Sequence, residues 1–72
     1  MNALRSARKL RSMSQVDLAS MVGVTQGHIS SLETMDERAS AALAEKIVVV
    51  LGRDLITEEQ ILYPERFATQ GE

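Results

Sequence analysis

The stretch from Gln15 to Thr34 constrains this chain most, because a glycine at its centre divides two short runs of helical periodicity. Leu18, Ala19 and Val22 recur on one helix face, and Gly23 then ends the run. Glycine adopts positive φ without the penalty of a Cβ, so a helix can stop there and the chain can turn sharply. Val24 follows as a buried plug. Thr25 is suited to cap a second helix, whose inward residues are Ile29 and Leu32. Ala19 is small where the two helices must approach. The spacing predicts two helices joined by one tight turn.

Two helices in this relation form a helix-turn-helix, which lays its second helix in the major groove of DNA; an ordinary αα-hairpin is the plainer alternative. On Gln15, Leu18-Ala19, Gly23-Val24, Thr25-Gln26, Ile29-Ser30 and Leu32-Glu33, with Arg8 upstream, the chain resembles the Cro/repressor-type (XRE) regulators of phages and bacteria. The likeness runs from about Leu4 to Leu62. It implies an all-α fold, a compact bundle of five short helices like the lambda-repressor DNA-binding domain. That domain would span residues 1–67, with residues 68–72 a frayed tail. The resemblance also implies an Arg8–Glu33 ion pair tying the first helix to the third, the rival reading being Arg8 on phosphate. It further implies that Gln15 holds a phosphate.

Composition limits the alternatives. Apolar residues make up 44% of the 72, yet there is one Phe, one Tyr and no Trp, so the core must be aliphatic. Without cysteine there is neither a disulfide nor a thiolate metal site to expect. No apolar run approaches the ~20 residues that span a bilayer, and a cytoplasmic protein is expected. The net charge of −2 is unfavourable for a DNA binder, but its distribution matters more. Residues 1–32 hold Arg5, Arg8, Lys9 and Arg11 against Asp17, a net of +3, and residues 33–72 net −5. The basic half could face phosphates and the acidic half turn away.

In chain order, Met1–Arg11 reads as the first helix, with Asn2 a cap and Leu4, Ala7 and Leu10 or the Arg11 stem inward. Ser14 and Asp17 suit a capping box on the second. On the candidate recognition helix, Gln26, Gly27, Ser30 and Ser31 project outward and are the expected base-reading residues. Gln26 can pair with adenine through N6 and N7. Gln15, Thr25, His28, Thr34, Arg38 and Arg11 are the expected phosphate contacts. His28 has no second ligand for a metal and no nucleophile to serve. In place of the glycine and basic residues usual in the family, Met35, Asp36 and Glu37 follow this helix. Ser40 caps a fourth helix over Ala41–Leu51, with Leu43, Ile47, Val50 and Leu51 inward and Val48 or Val49 left exposed. Thr57-Glu-Glu-Gln60 opens a fifth, which Pro64 stops.

These readings point to a sequence-specific DNA-binding transcriptional regulator, a repressor or autoregulator on an inverted-repeat operator. No enzyme, cofactor, metal, membrane or small-molecule ligand is expected. Double-stranded DNA and a second copy are the expected partners, with RNA polymerase a further one. Dimerisation is expected through Leu55, Ile56, Ile61, Leu62, Tyr63 and Phe67, which exceed what one small core needs. The alternative is a protein-interaction module, antitoxin-like or anti-activator, using the same surface.

Overall fold

The computed structural model describes residues 2–66. The helices are α1 (Ala3–Leu10), α2 (Gln15–Val22), α3 (Gln26–Glu33), α4 (Ala41–Leu51) and α5 (Glu58–Leu62), followed by a 3-10 turn at Pro64–Arg66. Among the described residues there is no strand, so the all-α expectation holds. Pro64 does stop α5, and it also opens the 3-10 turn.

One chemical device starts each α-helix among the described residues. Asn2, Ser14, Thr25, Ser40 and Thr57 each hold extended backbone, and each side chain accepts the backbone N–H three residues on. Each such cap is worth ~1 kcal/mol, a large help to helices of five to eleven residues. Ser14–Asp17 and Thr57–Gln60 complete reciprocal capping boxes.

The helix ends are less uniform. Gly23 (φ +79°) closes α2, as its position requires. Ser12 (φ +58°) and Met35 (φ +67°) take the same left-handed conformation after α1 and α3 without being glycine. After α1, Ser12 N–H reaches Lys9 O and Met13 N–H reaches Arg8 O. After α3, Met35 N–H reaches Leu32 O and Asp36 N–H reaches Ser31 O. Both are Schellman closures, which satisfy carbonyls a helix end leaves open.

The core is Leu4 and Ala7 of α1, Leu18, Ala19 and Val22 of α2, Ile29 and Leu32 of α3, and a broad stripe of α4, closed by Ile56 and Ile61. Helix α4 packs against both α2 and α5, so it buries Ala44 and Val48 as well as Leu43, Ile47 and Leu51. Val49 is the valine left outside, at 73% exposure, and Val50 is only partly buried. Leu10 does not face inward either: it is 70% exposed, and Arg8 takes the buried place.

The expected dimer surface needs correction. Ile56 and Ile61 are 1% and 7% exposed: α5 folds back across α1 and α4 and turns Ile61 inward, and Ile56, in the connection before it, joins the same core. Leu55 and Leu62 lean on the same core, and Tyr63 is exposed. Phe67 lies outside the described residues.

Candidate nucleic-acid interface

Turning α2 onto α3 brings α1 with it, and the three helices meet around one buried carboxylate. Arg8 donates from Nε to Glu33 Oε2 at 2.7 Å and from Nη2 to Oε1 at 3.2 Å. The two side chains are 9% and 4% exposed. Arg8 Nη1 donates to Met13 O at 2.7 Å, so the fork of the guanidinium is satisfied on both sides. Arg8 is therefore internal and not on a phosphate.

Gln15 extends this pair outward. Its Nε2 donates to Glu33 Oε1 at 3.1 Å, and its Oε1 accepts from Gln26 Nε2 at 2.5 Å. The carboxylate can only accept, which orients the Gln15 amide, and that amide orients Gln26 in turn. Gln26 keeps Oε1 and a second N–H at the exposed first turn of α3. One acceptor and one donor side by side are what the adenine major-groove edge, N6–H and N7, requires.

Gly27 is exposed, and a Cβ built on it would meet nothing within 4 Å. Ser30 and Ser31 are half-buried. The Thr25 hydroxyl accepts from His28 N–H at 3.1 Å as the cap of α3. His28 Nδ1 lies 2.7 Å from Glu37 Oε1. Thr34 Oγ1 donates to Ser31 O at 3.3 Å and to Asp36 Oδ2 at 3.1 Å. Arg38 Nη1 donates to Leu62 O at 2.9 Å. Arg11 donates from Nε to Leu51 O at 2.6 Å and from Nη2 to Asp54 at 3.1 Å. It thereby serves the open carbonyl end of α4, a role its position in the sequence does not announce.

One residue was undervalued by sequence reasoning. Asn2 caps α1 with its Oδ1, and its Nδ2 donates to Leu32 O at 3.2 Å and Glu33 O at 2.9 Å, closing the end of α3. The available signal is chemical: asparagine carries a donor beside its acceptor, which a Ser or Thr cap cannot supply in the same geometry. Among the described residues no group of His and carboxylates could hold a metal ion, and no helix is long and apolar enough to cross a membrane.

A helix-turn-helix family model matches residues 4–56. No curated protein and no solved structure gives a match. The matched span takes in α1 to α4 and ends on Ile56, so it contains the turn at Gly23, the exposed start of α3 and the buried pair beneath them. The chain belongs to the helix-turn-helix family of Cro/XRE type, and is a DNA-binding regulator.

Proposed function

We propose that this regulator is a repressor or autoregulator that reads an inverted-repeat operator as a homodimer, with α3 in the major groove. The observation that carries the reading is the hydrogen-bonded row from Arg8 through Glu33 and Gln15 to Gln26, which holds the Gln26 amide at the exposed start of α3. Gly27 allows close approach of the backbone, and Ser30 and Ser31 extend the reading surface directly or through water. Phosphate contacts are assigned to Gln15, Thr25, His28, Thr34 and Arg38, on α3 or at the helix ends and connections beside it, and to Arg11 at the end of α1.

One such helix reads only a few bases, so useful specificity calls for a second copy and half-sites ~34 Å apart. The apolar surface available for pairing is Val49, Leu55, Leu62 and Tyr63. The chain then acts by occupying DNA, blocking RNA polymerase at one site or touching it from the next.

The test is selection from a library of random duplexes, followed by gel shift of wild type and Gln26→Ala. The expected outcome is an enriched inverted repeat, on which Gln26→Ala loses ~1–3 kcal/mol while random DNA is bound as before. Failure to enrich any sequence would defeat the reading and favour a protein-interaction module, for which the acidic Asp36–Glu37 connection is suited.

A further inference from the structure

We infer that Asp36 and Glu37 are internal competitors of DNA phosphate, holding in the free protein the side chains that a DNA complex requires. The inference rests on the DNA reading above.

The contacts are specific. Glu37 Oε1 lies 2.7 Å from His28 Nδ1, and Asp36 Oδ2 accepts from the Thr34 hydroxyl at 3.1 Å. His28 and Thr34 are two of the groups assigned to phosphate, one within α3 and one at its end. A carboxylate presents them with the same chemistry as a phosphate, anionic oxygens accepting short hydrogen bonds.

The backbone puts the carboxylates there. After α3, the left-handed Met35 and the bonds from Asp36 N–H and Glu37 N–H to Ser31 O, at 2.9 and 3.3 Å, fold the connection back along the helix. A chain leaving α3 in extended form would carry both acids away from His28. The Glu37 side chain remains 54% exposed, so it is an accessible group competing at the surface and no part of the core.

DNA that approaches His28 and Thr34 must displace two like-charged groups. The penalty falls on backbone contacts, which carry no sequence information, so it lowers affinity for every duplex alike. Base discrimination by Gln26 is left intact. The regulator is thereby kept from resting on random DNA.

The test is fluorescence anisotropy at low salt with a labelled random-sequence duplex of about two helical turns. Glu37→Ala should bind about 5- to 10-fold tighter than wild type, and Asp36→Ala about 3-fold tighter. Glu45→Ala removes the same charge from the exposed side of α4 and should change binding less than about 2-fold. In a His28→Ala background, the gain from Glu37→Ala should fall to that control level. A gain no larger than that of Glu45→Ala, or one that persists without His28, would overturn the inference while wild-type binding preserved the DNA reading. Absence of binding by every variant would overturn both.

Discussion

Gln15 Nε2 and Arg8 Nη2 converge on the same oxygen of Glu33, at 3.1 and 3.2 Å. An ion pair that ties α1 to α3 thus also sets the direction of an amide at the exposed start of α3. The structural pair and the residues proposed to read DNA share one carboxylate, and changes at either level are felt at the other.

Gln15→Ala is accordingly expected to loosen Gln26 and not merely to remove a phosphate contact. Affinity for a selected operator should fall by ~1–2 kcal/mol, and the ratio of specific to random binding should fall with it. Titration of both variants against operator and random duplexes measures this. Equal weakening on both DNAs would assign Gln15 to phosphate alone.

Arg8→Ala or Glu33→Ala leaves a buried charge without its partner, at ~3–5 kcal/mol. That is a large share of the stability of a small domain. A double-mutant cycle in urea unfolding should show strong coupling, with the doubly substituted Arg8→Met/Glu33→Leu protein recovering most of the loss.

Ser12 and Met35, which among the described residues hold left-handed φ without being glycine, are sites of local strain. Ser12→Gly should raise unfolding stability by ~0.5–1 kcal/mol, since Ser12 is exposed and loses no packing. Gly23→Ala should cost ~1 kcal/mol or more for the converse reason. Gly27→Ala, in open helical surface, should stabilise by up to ~1 kcal/mol and weaken DNA binding through the added methyl.

Two carboxylates tie stability to acid. The Ser14 amide, then its hydroxyl, hold Asp17 below the usual carboxylate range. The Arg53 guanidinium, at 2.7 and 2.8 Å, and then the Glu58 backbone amide do the same for Glu58. A depressed folded-state pKa means the unfolded chain binds more protons. The contribution is therefore present above the unfolded value and is lost as pH falls through the folded one. Thermal unfolding from pH 6 to pH 2 should show less loss below about pH 4 in Asp17→Asn and Glu58→Gln than in wild type.

Ile61→Asp and Val49→Asp should separate core from interface. A carboxylate in the place of buried Ile61 should unfold the domain, costing more than ~3 kcal/mol. At the exposed Val49 the fold should survive. Sedimentation of Val49→Asp then reports on pairing, and a lighter species than wild type is the expected result.

The local chemistry of this protein was determined by its sequence alone. Caps at Asn2, Ser14, Thr25, Ser40 and Thr57, the break at Gly23 and the apolar spacing of each helix act over three or four residues, and a linear reading reaches that far. The Arg8–Glu33 pair and Gln26 at the outer start of α3 followed from the family resemblance and from helical phase. Tertiary structure decided whatever depends on which helix lies opposite. Val48 is buried and Val49 exposed because α4 is covered on two sides, and Ile56 and Ile61 belong to the core because α5 and the connection before it fold back over it. The Gln26–Gln15–Glu33 row and the grip of Glu37 on His28 join residues of different elements. Side-chain partners of that kind are chosen by the packing of helices, and a periodicity of 3.6 residues says which face is apolar but not what it will meet.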